Sequence, residues 1–105
     1  MKRYEVRFQP RAWADLLALY DYIANPAGVA VAEAYIGRIE AACLSLQTFP
    51  ERGTRRDRIR PGLRTMGFER RATIAFMVGD DEVLIVRVFY GGQHFEPALR
   101  SEKNE

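Results

Sequence analysis

The stretch from Val83 to Phe89 is almost uniformly apolar, and it constrains the fold more than any other segment of the chain. A strand with one face in solvent alternates apolar and polar residues, whereas the only polar residue of this run is Arg87. The pattern predicts a central strand covered on both faces, by helices on one side and by another part of the chain on the other. In such a strand, Arg87 reaches solvent from the strand end, forms an internal ion pair or serves a function.

Further strands are predicted on both sides of a helical region. Residues 4–8 alternate apolar and polar side chains, as in a strand with one buried face, and Pro10 ends the segment. Residues 72–78 show the same alternation, and the glycine and two aspartates at 79–81 predict a turn before the central strand. Residues 63–69 form a weaker strand candidate. The second half of the chain is therefore rich in strands.

Two helices are predicted between the first strand and the later ones. The first runs from Arg11 to about Ala24 and ends at the breakers in 25–28, and the second runs from about Val29 to Leu46. The short connection makes them an antiparallel hairpin. One apolar stripe of the first helix has the spacing i, i+4, i+7 and i+11 that suits a core face, and it consists of Ala12, Leu16, Leu19 and Ile23.

The first helix carries a second apolar stripe, formed by Trp13, Leu17 and Tyr20. These residues lie about 100° around the helix from the first stripe, at 3.6 residues per turn. If the stripe packs on the second helix, it is simply core. Alternatively, part of it stays exposed as a docking groove for an apolar partner segment.

The chain concentrates its basic residues in one segment. Residues 51–71 contain eight arginines and three acids, a local charge of +5, although the net charge of the protein is only +2. Because these residues are consecutive, we expect a single basic patch on one side of the fold. The patch would bind an anionic partner, or it would be a solvated surface whose arginines pair with acids of the domain.

Composition excludes several classes of protein. The 105 residues, 48% of them hydrophobic, suffice for one domain over residues 1–100 with a polar tail at 101–105, folded without a metal or disulfide. The single cysteine, Cys43, is expected to be a buried apolar residue in a reducing compartment rather than a reactive thiol. No apolar stretch approaches the roughly 18 residues of a membrane span, and the N-terminus has no hydrophobic signal region. We therefore expect a cytoplasmic protein without a membrane partner.

Five short motifs follow one another over nearly the whole chain. They are Ala12-x-x-Asp15-Leu16-x-x-Leu19-x-x-Tyr22-Ile23, Leu46-x-x-x-Pro50-x-x-Gly53, Pro61-Gly62-Leu63-Arg64, Ile74-Ala75-Phe76-x-Val78 and Ile85-x-Arg87-Val88-x-Tyr90-Gly91. Each motif alone is weak, because helical apolar spacing is common, but their order and separations together resemble the ParE branch of the RelE/ParE toxins.

The resemblance implies a toxin of a bacterial type II toxin–antitoxin pair with an α+β fold. An N-terminal strand, an antiparallel helical hairpin and a three-stranded antiparallel sheet would follow in this order. The implied partner is a ParD-like antitoxin whose C-terminal segment wraps the toxin, and we expect it to contact the stripe of Trp13, Leu17 and Tyr20. In the ParE branch the implied target is DNA gyrase, whereas RelE-like toxins cleave mRNA on the ribosome.

Three positions argue against the ribonuclease. Metal-free RNA cleavage needs a group that activates the 2′-hydroxyl, a cation for the phosphate and an acid for the leaving oxygen. Where the ribonuclease branch has two arginines and a late tyrosine, this chain has Thr73, Gln93 and Leu99. We therefore predict no catalytic residue, no metal and no cofactor, and a toxin that acts by binding.

Several basic and aromatic residues remain candidates for contacting the target. His94, the only histidine, titrates near neutrality, so a catalytic group could still be assembled from it and nearby cations. We expect instead that the group binds the target or supports toxicity, and it comprises Arg70, Arg71, Arg87, Tyr90 and His94. A RelE-like mRNA endonuclease and a non-catalytic nucleic-acid-binding module stay open as alternatives. The chain has neither G-x-G-x-x-G nor G-K-[ST], which excludes P-loop and Rossmann nucleotide binding.

Overall fold

The chain folds as a helical hairpin packed on a mixed sheet. The computed structural model describes residues 2–91 and 95–101. Within these ranges the elements are β1 (Glu5–Phe8), α1 (Pro10–Ala27), α2 (Val29–Leu44), β2 (Thr54–Arg55), β3 (Leu63–Phe68), β4 (Ala72–Val78), β5 (Glu82–Tyr90) and α3 (Phe95–Ser101). The five strands described form one sheet in the order β1-β5-β4-β3-β2. β1 pairs with β5 in parallel, and the other pairs are antiparallel.

The predicted α+β fold is confirmed, but the sheet is larger than expected. The N-terminal strand, the helical hairpin and the three later strands are all present. In addition, β2 extends the sheet at one edge, and β1 extends it at the other edge by pairing with β5. Because β2 has only two residues, both exposed, no apolar alternation marks it in the sequence. The result is a five-stranded sheet instead of a separate strand followed by a three-stranded sheet.

The connection between the two helices consists of Gly28 alone. α1 continues through Pro26 to Ala27, beyond the predicted end near Ala24, and Gly28 then adopts a φ of 98° that favours glycine. The N–H of Gly28 donates to the carbonyl of Ala24 at 2.8 Å, which closes the last turn of α1. α2 ends at Leu44, two residues early, and a 3₁₀ turn follows it. In the described part of the chain, no helix combines the length and apolarity needed to cross a bilayer.

The central strand β5 is buried on both faces, as the sequence predicted. Val83 and Val88 face a core shared with α1 and α2, whereas Val86 and Phe89 face a second core. The register passes from Ala75 opposite Arg87 to Phe76 opposite Ile85, so that Val86 is an extra, bulged residue. The bulge reverses the alternation, which brings Val88 to the same side of the sheet as Val83.

A third helix, which the sequence does not predict, covers the second core. α3 contributes Leu99, which is fully buried, together with the partly buried Phe95 and Ala98. Its seven residues are too few to show a helical period. Ser101, assigned to the polar tail, is the last residue of this helix, and residues 102–105 lie outside the described ranges.

An ion pair joins α1 to β5. The pairing of β1 with β5 ends at Ile85, and Asp15 of α1 lies beside the next part of that edge. Its Oδ2 accepts hydrogen bonds from Arg87 Nε at 2.7 Å and from the Val88 N–H at 2.8 Å, and its Oδ1 accepts one from Arg87 Nη2 at 2.9 Å. The two side chains are only 11% and 16% exposed. Of the three possibilities for Arg87, the internal ion pair is therefore the one found.

The cysteine is buried as predicted. Cys43 has no exposed surface and belongs to the core between the helices and the sheet. Burial, with a smaller contribution from Glu40, raises the pKa of its thiol to about 12. The thiol is therefore protonated at neutral pH and behaves as a small apolar group.

The ion pair predicts a large effect of a small substitution. Asp15→Asn leaves the buried Arg87 without a carboxylate, and we expect it to lower the free energy of unfolding by about 3 kcal/mol. The measurement is urea denaturation followed by circular dichroism. Asp21→Asn, an exposed position on the same helix, is the matched control and is expected to change stability by less than about 0.5 kcal/mol. Equal stabilities of the two variants would contradict the assignment of Asp15 as the anchor of α1.

Candidate functional site

Six of the eight arginines of the basic segment form two clusters in the fold. One cluster, called the β2 patch, contains Arg52, Arg55, Arg56 and Arg64 around β2 and the start of β3. The other consists of Arg70 and Arg71 in the turn between β3 and β4, called the turn patch. β3 separates the two by about 20 Å, because six extended residues each advance roughly 3.3 Å. The expectation of a single basic patch is therefore wrong.

Much of the β2 patch is engaged in holding its own loop. Arg55 Nε contacts Asp57 Oδ2 at 3.0 Å, and Asp57 Oδ1 accepts the N–H of Gly62 at 2.9 Å. The hydrogen bond from Gly62, followed by the charge of Arg55, lowers the pKa of Asp57 below its usual value. Arg56 Nε donates to the buried Thr65 Oγ1 at 2.9 Å. These arginines stabilise the connection between β2 and β3.

The turn patch has a strained backbone. Glu69 and Arg70 have φ angles of 50° and 60°, in the left-handed region that glycine and asparagine favour. The Arg71 N–H donates to the Phe68 carbonyl at 3.0 Å, which closes a tight hairpin turn. Two successive residues with side chains in this conformation cost on the order of 1 kcal/mol each. Strain of this kind often accompanies binding sites, and here it displays two exposed arginines.

An ion pair with α2 holds the turn in place. Arg38 donates from Nε to Glu69 Oε2 at 2.8 Å and from Nη2 to Oε1 at 3.1 Å, a bidentate geometry. The hydrogen bonds from Arg38 lower the pKa of Glu69, so that this carboxylate stays ionised. The Arg38 guanidinium also lies over the ring of Tyr35 at 5.2 Å. The strained turn is therefore tied to the helical hairpin.

A groove lies between the turn and the end of the helical hairpin where Gly28 connects α1 to α2. Its volume is about 1150 Å³, and we call it the hairpin groove. A hydrogen bond with Tyr90 raises the pKa of Arg71 and joins two of the predicted residues at the rim. Tyr22, 66% exposed, contacts Tyr90 edge to face at 5.7 Å. The polar and aromatic lining residues are Tyr22, Asn25, Tyr35, Arg38, Glu69, Arg71 and Tyr90.

The structure brings together only part of the predicted target-binding group. Arg71 and Tyr90 line the hairpin groove, and Arg70 is adjacent to it in the turn. Arg87 lies apart in its buried pair with Asp15, where it supports packing rather than an exposed surface. His94 falls outside the described residues.

Other members of the groove are not apparent from the sequence. Tyr35 is one of the buried residues of α2 and has the spacing of a core residue. Arg38 and Glu69 are 31 residues apart, and nothing local in the sequence indicates that they meet.

The second apolar stripe of α1 is largely exposed. Trp13 is 46% exposed and Leu17 is 69% exposed, whereas Tyr20 is partly buried. The ring of Trp13 stacks on Phe8 with the centroids 4.5 Å apart. The stripe is therefore not covered by α2 at Trp13 and Leu17, and an apolar surface remains available.

Two of the three positions that argue against a ribonuclease lie among the described residues, and neither is exposed. Leu99 is fully buried in the second core, and Thr73 on β4 is partly buried. Gln93 lies outside the described residues. Within residues 2–91 and 95–101, no three His, Cys, Asp or Glu side chains are grouped so that they could hold a metal ion.

Comparison with known proteins identifies the family. The family model described as the ParE toxin of type II toxin–antitoxin systems matches residues 6–95. The chain belongs to the ParE toxin family. Toxin ParE3 of Caulobacter vibrioides is 35% identical to this ParE toxin over 85 residues, which cover 81% of this chain and 84% of the relative.

Solved structures agree with this assignment. A chain from a chromosomal ParDE system of P. aeruginosa matches with a TM-score of 0.74 and 28% identity, covering 85% of this ParE toxin and 97% of that chain. A chain from the RelBE2 toxin–antitoxin complex of Mycobacterium tuberculosis matches with a TM-score of 0.63 and 21% identity, over 89% and 97% of the two chains. The second similarity concerns the fold alone.

Proposed function

We propose that this ParE toxin acts in the cytoplasm by binding and inhibiting DNA gyrase, and that a ParD-like antitoxin neutralises it. The observation that carries the proposal is the match of the ParE family over residues 6–95. The solved relative from P. aeruginosa comes from a ParDE system, which supports an antitoxin partner of the ParD type. Two exposed surfaces of different chemistry, one apolar and one basic, support separate contacts with antitoxin and target.

The apolar surface suits the antitoxin. Trp13 and Leu17 lie one helical turn apart on α1 and expose a large part of their side chains. Exposed aromatic residues that a partner can cover often supply most of the binding free energy of an interface. The stacking of Trp13 on Phe8 holds the indole in one orientation, so that less side-chain entropy is lost on binding.

We expect Trp13→Ala to weaken the binding of a ParD-like antitoxin by about 2 kcal/mol, since an aromatic anchor contributes on this scale. The protein should remain folded, because the side chain is 46% exposed. Isothermal titration calorimetry with the antitoxin from the neighbouring reading frame measures the change. Phe49→Ala, which removes another exposed aromatic residue, 62% exposed, is the control. Unchanged affinity of a folded Trp13→Ala protein would refute the assigned interface.

The turn patch suits the target. Arg70 and Arg71 are exposed and belong to a strained turn that the Arg38–Glu69 ion pair connects to α2. Most of the charged groups described in the β2 patch, by contrast, bond within their own loop. A gyrase–DNA complex offers phosphates and acidic side chains, to which exposed arginines can be steered.

Reversing the charges of the turn patch should therefore reduce toxicity without unfolding the protein. Wild type and the double variant Arg70→Glu/Arg71→Glu are expressed without antitoxin, viable cells are counted, and supercoiling by purified gyrase is assayed in parallel. We expect at least a tenfold recovery of viable cells, because exposed charges contribute little to stability but much to association. Arg52→Glu/Arg58→Glu changes the charge by the same amount at two exposed arginines outside the turn patch, one in the β2 patch and one in the loop that follows β2, and this variant should remain toxic. Gyrase unaffected by the wild-type toxin would remove gyrase from the proposal.

A second expectation separates this protein from ribosome-dependent ribonucleases. Leu99 and Thr73 stand where a proton donor and a cation would be needed, and the loss of both should reduce cleavage by several orders of magnitude. Incubation of wild-type protein with translating ribosomes and a reporter transcript should leave the transcript intact in primer extension. Cleavage that disappears in Arg71→Ala or His94→Ala would instead establish the RelE-like activity.

A further inference from the structure

The hairpin groove contains a polar group that the fold leaves without a partner. Tyr35 is only 7% exposed, and its hydroxyl is buried without a hydrogen bond to any of the described residues. Its ring is held by edge-to-face contacts with Phe68 at 5.7 Å and Tyr90 at 5.8 Å. A phenylalanine would make the same ring contacts and would avoid burying an unsatisfied hydroxyl. The Tyr35 hydroxyl is therefore a hydrogen-bond donor that the described residues leave unused.

The chemistry around this hydroxyl favours a ligand that accepts hydrogen bonds. Burial, followed by the nearby Tyr90 and Glu69, raises the pKa of Tyr35, which keeps the hydroxyl protonated and able to donate. Arg71 at the rim is a permanent cation oriented by its hydrogen bond with Tyr90. The carboxylate of Glu69 is neutralised by the bidentate contact with Arg38. An anion that enters the groove would therefore meet donors and a cation.

The walls of the groove suit a flat group. Ala27, Ala30 and Ala34 on the helical side have small side chains, so that a ligand can approach the helices closely. Tyr22 exposes two-thirds of its side chain at the same groove. An exposed aromatic ring next to an arginine is the combination on which unpaired nucleic-acid bases stack while a phosphate is bound.

We propose that the hairpin groove binds single-stranded nucleic acid, with a phosphate held by Arg71 and the Tyr35 hydroxyl and with an unpaired base against Tyr22. A phosphate accepts several hydrogen bonds at once, so one group can meet both donors. The strained turn places the exposed Arg70 beside the groove, where it adds positive charge for a neighbouring phosphate. Arg70 and Arg71 also belong to the surface proposed to contact gyrase, whereas Tyr35 and Tyr22 do not, so variants of these two tyrosines distinguish the two activities.

The test measures fluorescence anisotropy of a labelled, 5′-phosphorylated ten-nucleotide oligothymidylate with the purified full chain. Tyr35→Phe should weaken binding about tenfold, because it removes one hydrogen bond to a charged group. Its melting temperature should equal or exceed that of the wild type. Tyr4→Phe, which removes a hydroxyl outside the groove, should bind as the wild type does. Tyr22→Ala should also bind about tenfold more weakly, because it removes a stacking surface.

The salt dependence gives an independent measurement. Arg71→Gln should reduce the slope of log K against log salt concentration by about 0.7, the value for one phosphate contact with a single strand. Oligoribonucleotide and blunt duplex DNA are compared with the oligothymidylate, and the duplex should bind more weakly because its bases are already stacked.

Several results would overturn the proposal. One is that the oligonucleotide does not bind, or binds equally to wild type, Tyr35→Phe and Tyr22→Ala. Another is that Tyr35→Phe is markedly less stable, which would make the hydroxyl structural. Equal competition by inorganic phosphate would reduce the site to a phosphate site, and binding of an acidic, apolar peptide instead of the oligonucleotide would assign the groove to a protein segment.

Discussion

The buried contact between Asp15 and Arg87 determines how the helical hairpin sits on the sheet. β1 supplies hydrogen bonds to one edge of β5 only as far as Ile85, and beyond that point the edge would be unsatisfied next to an apolar core. Asp15 accepts the N–H of Val88 there and neutralises Arg87, so one carboxylate serves a backbone donor and a buried cation. Because a buried charge is costly unless it is paired, the position of α1 relative to β5 is narrowly defined.

The hairpin groove is a consequence of that position. With α1 anchored on β5, Tyr22 near the end of the helix meets Tyr90 at the end of the strand. α2 returns antiparallel after the single residue Gly28 and brings Arg38 to Glu69 in the turn between β3 and β4. The left-handed turn has a cost for side-chain-bearing residues, but it is the conformation that a two-residue hairpin turn between β3 and β4 requires. The Tyr35 hydroxyl has no hydrogen-bond partner among the described residues, and this is the feature that we attribute to binding.

A helix or strand could be predicted from the sequence when its segment was long enough to show a hydrophobic period. The helices and the strand β5 were predicted because they contain enough residues to show a period or a continuous apolar run. β2 and α3 were missed because two and seven residues show no period. In the candidate site, helical spacing distinguished a second apolar stripe on α1, and the basic segment contains the arginines of the turn; the roles of these residues stay predictions. Tyr35 could not be assigned to the groove from the sequence, because core residues and groove residues on one face of α2 follow the same helical spacing.

The sequence by itself determined the α+β class, the helical hairpin and the doubly buried strand. These three properties depend on neighbouring residues, whose spacing directly reflects burial. Only the tertiary structure decided that Arg87 pairs with Asp15, 72 residues away, and that Arg38 pairs with Glu69. The tertiary structure also separates the arginines into the β2 patch and the turn patch, because the extended strand β3 lies between them. The energy of an ion pair depends on the distance between its two charges. For residues far apart in the sequence, that distance is set by the fold.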